Sequence, residues 1–548
     1  MKISFKYEIK EGEKISGKEL VDRILKQRNI KDVKEFIDPP SPLKVSITEF
    51  EKKFGATFKK VIKILKEIKT KKQMVVVYTD YDADGITGGA ILWETLYKLG
   101  FSAMPYVPDR KKEGYGFSLQ GIDNVIKKFD PALIISVDHG ITKVKEIAYA
   151  RKKGVKIIVT DHHLKGEDLP KADAIFHIPA LSGSGVAYFF AKEISKHFKS
   201  LTNNFERDYL ALASIGTIAD LVPLLGPSRS LVKWGLEAFS KTNRPGIKHI
   251  LKQAGIEGRK ITPYEVGFII APRINAVGRL SDATDALRLL CTISEKRARD
   301  LAQQIGRMNI DRQNLVEKSV EEAKQFVKKN KIIVLVSEKW HEGIIGLIAS
   351  KIAEEFYRPT IVMTKADLPA SRQAVLKGSA RSIPTFHITD FLKSLREYLV
   401  DVGGHKQAAG FTIEKQKLSK FITAVEKRAD KIIKDKDLEK VIAADIKIPV
   451  SKINLELVRA LEKLEPFGVG NPRPTFLSQG KLMEAKSFGK TNNHLKIFID
   501  SLELIAFNQG EKIKELSRGQ KIKVVYSLEI DQWNGRERLK GVIKFFSP

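Results

Sequence analysis

The chain has 548 residues, too many for one domain, and its 43% hydrophobic and 30% charged composition excludes wholesale disorder. Lys and Arg number 96 against 66 Asp and Glu, and the net charge of +30 favours a polyanionic partner, nucleic acid before an anionic membrane. The single cysteine excludes an intrachain disulfide framework, and no apolar stretch approaches the roughly 20 residues of a membrane-spanning helix.

The first two segments differ in their hydrophobic pattern. Residues 1–45 predict a helical segment, with helical periodicity over residues 18–36 that stops at two prolines. Residues 46–230 alternate short apolar runs with helix-like stretches, which is typical of a parallel β-α-β sheet buried on both faces. The apolar runs are residues 74–78, 133–137 and 155–159.

The rest of the chain predicts three more units. Residues 231–330 are mainly helical and charged, and residues 331–437 return to an α/β pattern. Residues 438–548 contain short alternating runs separated by turns with Asn or Gly, which predicts a small β-barrel or sandwich. The predicted fold class is therefore α/β: a parallel-sheet domain linked by helices to a second α/β domain, followed by a small β-barrel.

Carboxylates follow each predicted strand of the first sheet. The residues concerned are Asp80, Asp82 and Asp84, then Asp138 with His139, then Asp161 with His162 and His163, and finally Asp220 after a helix. Each Asp alone is more often a helix N-cap, and the two histidines are as often a structural pair. Because the carboxyl ends of parallel strands line one crevice, six carboxylates there would repel one another unless cations bind between them.

The ligand types in this crevice predict the metal. Oxygen ligands with one or two imidazoles suit Mn²⁺, with Mg²⁺ next, and their number predicts two ions about 3.5–4 Å apart that share a carboxylate. Such a pair catalyses in-line displacement at phosphorus. Gly85, Gly88 and Gly89 open the following helix and allow backbone N–H groups to approach an anion. The sequence has neither a P-loop nor a GxGxxG motif, so nucleoside triphosphate chemistry is not expected.

These residues resemble the DHH phosphoesterase family. Its four metal-binding motifs are similar to residues 80–85 (DYDADG), 137–138, 161–163 (DHH) and 216–220 (GTIAD). Residues 272–279 resemble the Asn-Ala-x-Gly-Arg element of the family, and residues 341–346, 378–382 and 403–405 resemble its DHHA1 domain. Residues 464–468 and 533–536 are similar to the OB-fold of the single-strand exonucleases in this family, whose motif order fits nearly the whole chain.

The resemblance implies an enzyme that degrades single-stranded DNA from 5′ to 3′ to 5′-mononucleotides with Mn²⁺ or Mg²⁺, in DNA recombination and repair. By motif position, the implied metal ligands are Asp82, Asp84, Asp138, His162 and Asp220, with Asp138 bridging, and Asp80 either a ligand or a residue that orients one. The resemblance implies that Asp161 holds the ligand residues in position without binding metal itself, and that His163 contacts phosphate.

The implied substrate residues are mostly basic. Arg279 and His405 are expected near the scissile phosphate, and Ser379 and Arg381 at the 5′-phosphate; Arg110, Arg273 and Asn275 are further expected substrate contacts. The chain departs from the family pattern at four positions: His139, His177, Asp531 and Lys540. None of these replaces an implied metal ligand, so we expect them to affect contacts with the strand rather than activity itself.

Single-stranded DNA is the expected partner, with single-strand-binding protein and a helicase as further candidates, and a cytoplasmic monomer is expected. Two alternatives stay open: an enzyme of the same family for small phosphate substrates, and a catalytically idle scaffold that binds DNA. A Lys-rich genome is the other explanation of the charge. Trp533, Tyr526 and Phe507 are the aromatic candidates for stacking on bases, although aromatics in barrels are more often core.

Overall fold

The computed structural model describes residues 2–110, 112–200, 202–366, 375–533 and 536–547. The chain divides into two compact units. The larger unit comprises Ser41–Val222 and Trp234–Glu439, and the smaller comprises Met1–Pro40, Pro223–Lys233 and Lys440–Pro548. Among the described helices, none combines the length and the apolar character needed to cross a bilayer.

The described strands and α-helices are labelled in chain order. The strands are β1 (Lys2–Glu8), β2 (Val75–Thr79), β3 (Ala103–Tyr106), β4 (Leu133–Val137), β5 (Lys156–Asp161), β6 (Ala174–His177), β7 (Ile333–Val336), β8 (Thr360–Lys365), β9 (Val375–Arg381), β10 (Leu399–His405), β11 (Ala408–Glu414), β12 (Val441–Lys447), β13 (Thr475–Phe488), β14 (His494–Ile499), β15 (Leu502–Ala506), β16 (Lys521–Trp533) and β17 (Arg536–Ser547). The helices are α1 (Gly17–Gln27), α2 (Val33–Ile37), α3 (Phe54–Thr70), α4 (Ala83–Lys98), α5 (Leu119–Phe129), α6 (Val144–Lys152), α7 (Gly183–His197), α8 (Asp208–Ala219), α9 (Gly226–Ala238), α10 (Pro245–Gln253), α11 (Ala271–Leu280), α12 (Thr284–Cys291), α13 (Glu295–Lys324), α14 (Ile345–Phe356), α15 (Ile388–Lys393), α16 (Leu418–Ile432) and α17 (Leu455–Glu462).

The first sheet of the larger unit is parallel throughout, with strand order β3-β2-β4-β5-β6. This confirms the predicted β-α-β pattern. Every residue of β2 and β4 is buried, as the continuous apolar runs indicated, because helices cover both faces. The chain passes from β2 outward to β3 and then returns to β4 on the other side of β2. The strand order therefore reverses between β2 and β4, where open α/β sheets bind their ligands.

Helices α9 to α13 follow this sheet, as the charged helical pattern predicted. A π-helix, Glu265–Ile270, leads directly into α11. The second sheet has the order β10-β11-β9-β8-β7, in which only β7 and β8 are parallel. Apolar residues of α14 and the C-terminal half of α13 pack against β7, and those of α15 and α16 against β9 and β11. The second α/β domain is thus confirmed.

The smaller unit contains the predicted barrel. Strand β13 pairs with both β14 and β16, and β15 pairs with β17, which in turn pairs with β16, so five strands close on themselves. Strand β12 extends this sheet and β1 pairs in parallel with β12. The N-terminal strand β1 was not predicted; its residues showed only a short apolar alternation. The predicted turn residues Asn534 and Gly535 lie outside the described residues.

Arg229 connects three distant segments of the smaller unit. Its guanidinium is buried, lies 3.8 Å from the ring of Phe36 and donates to the carbonyls of Phe36, Leu464, Glu465 and Pro466. Several carbonyl acceptors satisfy most of the donors of one guanidinium, which makes the burial of the charge tolerable. The segment Pro223–Lys233 is therefore structural in this unit.

Candidate active site

Asp80, Asp82 and Asp84 lie where the chain leaves β2 and begins α4. Asp82 is the N-cap of α4, and its Oδ1 accepts hydrogen bonds from the N–H groups of Asp84 at 3.0 Å and Gly85 at 3.1 Å. A Cβ on Gly85 would lie 2.7 Å from Cβ of Asp80, so glycine is required for the helix to begin this close to the strand. The capping role expected of a single Asp is present, and Asp82 keeps its other oxygen for a ligand.

Asp84 is supported by the N-terminus of α7. Its two carboxylate oxygens accept hydrogen bonds from the N–H groups of Gly183 at 2.6 Å and Ser184 at 2.9 Å. The positive end of the helix dipole stabilises the carboxylate there. This support was missed in the sequence, where the N-cap Ser182 followed by two glycines within three residues was the available signal.

Asp138 directly follows β4 and has a left-handed backbone conformation, with φ of 68°. Its buried Oδ1 has no hydrogen-bond partner among the described residues, and neither has Nε2 of His162, although the two atoms are 3.1 Å apart. Nε2 of His162 also lies 3.5 Å from Oδ2 of Asp220 and 4.0 Å from Oδ2 of Asp84. Buried polar atoms that converge without bonding to one another are expected where a cation is the shared partner.

The ligand atoms form three overlapping groups, each with its members within 4.8 Å of one another. The groups are Asp138 with His162 and His163, Asp84 with His162 and Asp220, and Asp80 with Asp82 and Asp138. The structure thus brings all six predicted carboxylate and imidazole ligands together, with Asp138 and His162 each in two groups. This donor set can hold metal ions.

Burial and mutual repulsion raise the pKa values of these carboxyls. Burial is the largest cause for Asp80, Asp82 and Asp138, and the neighbouring carboxylates, Asp82 for the first and Asp84 for the other two, add to it. For Asp220, burial followed by Asp84 and Asp82 raises the pKa to about 8. Nearby positive charge is therefore needed before the cluster can be ionised fully at neutral pH.

Asp161 holds His163 beside the cluster. Burial alone would raise the pKa of the Asp161 carboxyl, but the hydrogen bond from Nδ1 of His163 at 2.8 Å and bonds from backbone N–H groups keep it well below its usual range. Burial would likewise lower the pKa of His163, but the bond to Asp161 raises it to about 9. The hydroxyl of Tyr115 lies 3.0 Å from Nε2 of His163 and donates to the carbonyl of Asp138. His163 is thus a fixed imidazolium at neutral pH.

Two of the four unusual residues have structural contacts here. His139 is buried against the rings of Tyr78 and Phe117, its Nε2 bonds to the carbonyl of Tyr78, and burial lowers its pKa to about 3. It belongs to none of the three ligand groups. His177 donates from Nε2 to the carbonyl of His163 at 2.6 Å and so holds the turn that carries both histidines.

Asn275 and the arginines of the larger unit differ in where they point. Oδ1 of Asn275 accepts from the N–H of Ala83, in the first turn of α4, at 2.8 Å. Arg110 lies over the ring of Tyr81 at 5.1 Å. Arg279 donates to the carbonyl of Gly343 at 3.1 Å, while its neighbour Gly278 packs against the carbonyl of Tyr81. Asn275 and Arg279 thus lie on α11 and Arg110 on the loop after β3, and α11 contacts segments next to the acidic cluster through Asn275 and Gly278.

Ser379 and Arg381 lie at the N-terminus of α14. A Cβ on Gly346, in the first turn of that helix, would lie 3.1 Å from Oγ of Ser379 and 3.0 Å from Nη2 of Arg381. Nη1 of Arg381 donates to Oγ of Ser379 and to the carbonyl of Ala380, and no described ion pair includes Arg381. A helix N-terminus, a hydroxyl and an unpaired guanidinium together form an anion-binding pocket.

Two predicted substrate residues are not placed at this site by their contacts. Arg273 donates to Oε1 of Gln253 and to the carbonyl of Ile269, both on the helical layer. His405 is exposed on the hairpin between β10 and β11, and the described residues show no hydrogen bond or ion pair from its ring to the acidic cluster. Their positions in the family motifs did not predict where the side chains of Arg273 and His405 point.

Three family models match the chain, each over one predicted domain. The DHH family N-terminal domain matches residues 74–217, the DHHA1 domain matches residues 329–431 and the RecJ OB domain matches residues 444–544. The parallel sheet with its carboxylate and histidine cluster is therefore the catalytic domain of a DHH phosphoesterase, a class of hydrolytic enzymes.

Curated relatives and solved structures agree. The single-stranded-DNA-specific exonuclease RecJ of Haemophilus influenzae is 30% identical over 99% of this chain and 98% of its own length. That of Thermus thermophilus is 34% identical over 86% of this chain and 68% of its own length. The Bacillus subtilis RecJ is 34% identical over 88% of this chain, which spans 62% of that protein. The crystal structure of Thermus thermophilus RecJ in complex with Mn²⁺ matches all of this chain and 80% of that one, with a TM-score of 0.83 and 28% identity. The chain belongs to the RecJ family.

The metal-free protein should lose stability as the pH rises from about 4 to 8. A carboxyl whose folded pKa is raised favours folding below its unfolded pKa, about 3.9 for Asp, and this contribution is lost as the pH rises through the folded pKa, about 8 for Asp220. Mn²⁺ should restore stability, by about 2.7 kcal/mol at one hundred times its Kd.

Melting temperatures with EDTA and with Mn²⁺, measured at about pH 5.5 and pH 8.5, test this expectation. The increase caused by Mn²⁺ should be larger at the higher pH. Asp220→Asn should reduce that difference, whereas Asp168→Asn, at an exposed position, should leave it unchanged. An equal increase at both pH values in the wild-type protein would contradict the electrostatic account.

Proposed function

We propose that the protein is a metal-dependent exonuclease that degrades single-stranded DNA from the 5′ end and releases 5′-mononucleotides. The observation that carries the proposal is a buried carboxylate and histidine cluster in the same unit as an anion pocket formed by Ser379, Arg381 and the N-terminus of α14. A pocket that binds a terminal phosphate beside a hydrolytic site would let the enzyme recognise the 5′ end and cleave there.

Two divalent cations, Mn²⁺ or Mg²⁺, are the proposed cofactors. The residues that would hold them are Asp80, Asp82, Asp84, Asp138, His162 and Asp220, with Asp138 as the proposed shared ligand. Asp138 belongs to two of the three ligand groups, which supports the bridging role. When bound in such a pair, divalent cations neutralise charge on the phosphate and make water more acidic. Metal-bound structures of Thermus thermophilus RecJ contain Mn²⁺ in one case and Mg²⁺ in the other.

The residues around this cluster are proposed to bind and orient the scissile phosphate. In the metal-free protein the hydrogen bond to Asp161 raises the pKa of His163 to about 9, and Asp161 and Tyr115 fix its ring, so His163 is the proposed hydrogen-bond donor to phosphate. Arg279 and Arg110 add guanidinium groups, which match phosphate oxygens in two-pronged hydrogen bonds. Asn275 fixes the first turn of α4. Arg273 and His405 remain proposals that rest on the family alone.

An oligonucleotide assay tests the proposal. With Mn²⁺ and single-stranded DNA labelled at its 3′ end, the enzyme should give a ladder that shortens from the 5′ end, with 5′-mononucleotides as product. Shortening from the 3′ end, or hydrolysis of dinucleotides without activity on longer strands, would contradict it. The family further suggests a role in recombination and repair in the cytoplasm, as a monomer, with single-strand-binding protein and a helicase as partners.

The barrel is proposed to bind the strand beyond the active site, and its aromatic residues differ in accessibility. Tyr526 is fully buried, so it is core rather than a stacking residue, and the side chain of Trp533 lies outside the described residues. The ring of Phe507 is 52% exposed, and that of His494 lies between it and Phe488, 5.3 Å from each. Phe488 ends the first barrel strand, His494 begins the second and Phe507 directly follows the third, in the region where OB-folds bind oligonucleotides.

Phe507→Ala should weaken binding to long strands by about 1–3 kcal/mol, the contribution of one base stacked on an aromatic ring. Cleavage of tetranucleotides should not change. Fluorescence anisotropy on labelled strands of increasing length measures the effect, and Phe5→Ala, at an exposed position on the edge strand β1, is the matched control. Equal affinities of the two variants for long strands would show that Phe507 does not stack on DNA. Deletion from residue 440 onward is a poorer test, because it removes the partners of β1 and Arg229.

Asp531 and Lys540, the remaining unusual residues, are adjacent in the barrel. Nζ of Lys540 lies 3.2 Å from Oδ1 of Asp531 across the β16–β17 pair. The two departures from the family pattern therefore compensate one another in charge. A partly exposed pair of this kind contributes little to stability, typically about 0.2–1 kcal/mol.

A further inference from the structure

Strand β7 lies at one edge of the second sheet, where β8 is the one strand of the described chain that pairs with it. The N–H groups of Ile333 and Ser337 donate toward β8, at 2.8 and 3.1 Å. Because successive backbone groups alternate in direction along a strand, the N–H and C=O groups of Val334 and Val336 point away from β8. The outer edge of β7 therefore presents two donors and two acceptors to a further strand.

A cavity of about 360 Å³ lies against this edge. Its walls include Val334 and Val336, the ring of Trp340, and Phe326 just beyond the end of α13; we call it the β7 groove. Trp340 is buried in the apolar cluster of α13, α14 and β7, and its Nε1 donates to Glu322 at 3.3 Å, so this wall is fixed. The side chains of Phe326 and Val336 are 59% and 37% exposed.

The surroundings of β7 differ from those of a protected edge. Proteins usually guard an edge strand against pairing by keeping it short or by placing charges on it, and β7 has only four residues. Exposed apolar side chains beside the edge have the opposite effect, because they reward a strand that covers them. Peptides that add a strand to a sheet gain affinity from main-chain hydrogen bonds and specificity from pockets for alternate side chains. The β7 groove offers both.

The charge around the β7 groove favours an acidic occupant. Residues 325–340 contain four lysines and one acidic residue, Glu338, which pairs with Lys415 at 2.5 Å. Three of the lysines take part in no ion pair within the described chain: Lys328, Lys329 and Lys339. A nucleic acid would also be attracted by lysines, but its phosphates only accept hydrogen bonds and would leave the outward C=O groups of β7 unpaired. An extended peptide supplies both donors and acceptors.

We propose that the β7 groove binds an extended acidic segment of a partner protein, which adds a strand to the second sheet. Its backbone bonds to the N–H and C=O groups of Val334 and Val336. Since side chains alternate along a strand, its apolar side chains contact Phe326 and Trp340 while its acidic side chains face the lysines. The site lies in the second α/β domain and does not depend on the proposed nuclease activity.

A synthetic peptide about eight residues long that alternates Asp with Val or Ile tests the proposal. Fluorescence anisotropy of the labelled peptide with the full chain should show saturable binding. N-methylation of the alternate residues that face β7 should weaken binding at least about tenfold, the scale of two lost main-chain hydrogen bonds, and N-methylation of the other set less than about threefold. A peptide of the same composition with its apolar residues in one block is the control and should bind at least about tenfold more weakly.

Two substitutions test the groove itself. Val336→Pro removes an outward N–H donor while the hydrogen bonds to β8 remain, and Phe326→Ser removes an exposed ring. Each should weaken peptide binding at least about tenfold without changing the melting temperature. Val336→Thr, which keeps the donor, and Ile310→Ser, at an exposed position on α13, are the matched controls and should bind as wild type. Phe326→Ser stands as the test if the proline variant does not fold.

Several outcomes would overturn the proposal. These are the absence of saturable binding, equal losses with the two N-methylated peptides, and unchanged affinity in Phe326→Ser. Competition by single-stranded DNA that is weakened by the same substitutions would assign the groove to nucleic acid instead. A dimer that forms in analytical ultracentrifugation and is lost in Val336→Pro would assign it to a second copy of the chain. Hydrolysis of single-stranded DNA should be the same in all four variants, so it reports on the proposed function separately.

Discussion

Asp138→Asn is expected to abolish hydrolysis of single-stranded DNA while the protein still folds and binds the strand. The substitution removes the carboxylate that belongs to two of the three ligand groups. Lewis-acid stabilisation by metal ions contributes several kcal/mol to such reactions, so a loss of about a thousandfold or more in kcat is expected. The repulsion among the remaining carboxylates decreases, and the melting temperature of the metal-free protein should rise or stay the same.

The choice of asparagine follows from the backbone. Asp138 has φ of 68°, a conformation that Asn tolerates and that costs other residues about 1–2 kcal/mol, so Asp138→Ala would add strain to the loss of the ligand. Asp130→Asn is a matched control, since Asp130 also has a left-handed backbone, at the C-cap of α5. Turnover with Mn²⁺ within tenfold of wild type in Asp138→Asn would exclude a metal pair bridged by this residue.

Arg381→Met is expected to cost about 2–3 kcal/mol in kcat/KM on 5′-phosphorylated strands, the value of a charge-assisted hydrogen bond. On 5′-hydroxyl strands the loss should be much smaller. The side chain is half-buried, burial lowers the pKa of its guanidinium, and no described carboxylate forms an ion pair with it. A purely structural role, in which Arg381 pairs with an acidic side chain, thus has no support among the described residues.

Comparison of the two strand ends separates recognition of the phosphate from a general defect. Arg396→Met, at an exposed position in the same sheet domain, should behave as wild type on both substrates. Initial rates below KM, measured with wild type and both variants, give the ratio directly. A loss in Arg381→Met that is the same on phosphate and hydroxyl ends would leave the end-recognition pocket without support.

Local patterns in the sequence were sufficient to predict the first sheet and the acidic cluster. Continuous apolar runs identify β2, β4 and β5 because both faces of a parallel sheet are buried. Residues that directly follow such strands meet at one edge, whatever the loops do. The positions of Asp80, Asp138 and Asp161 therefore follow from the chain itself.

The features that the sequence did not predict depend on contacts between distant residues or on side-chain orientation. The pairing of β1 with β12 joins residues more than 400 positions apart, and a short edge strand has no pattern that names its partner. Arg229 is a charged residue in a predicted helix, where exposure to solvent is the usual expectation, yet it is buried among carbonyls from two other segments. His139 follows the proposed ligand Asp138, but its ring packs against Tyr78 and Phe117. The spacing of residues in the sequence does not predict this side-chain orientation.

The three-segment construction of the smaller unit has a consequence for synthesis of the protein on the ribosome. Strand β1 leaves the ribosome before β12 and the barrel, which follow only after roughly 400 further residues, about 20–80 s at elongation rates of about 5–20 residues per second. During that interval, while the larger unit is being synthesised, the edge of β1 and the apolar face of α1 lack their native partners from residue 440 onward. The nascent chain is therefore expected to bind a holdase chaperone near its N-terminus until translation ends.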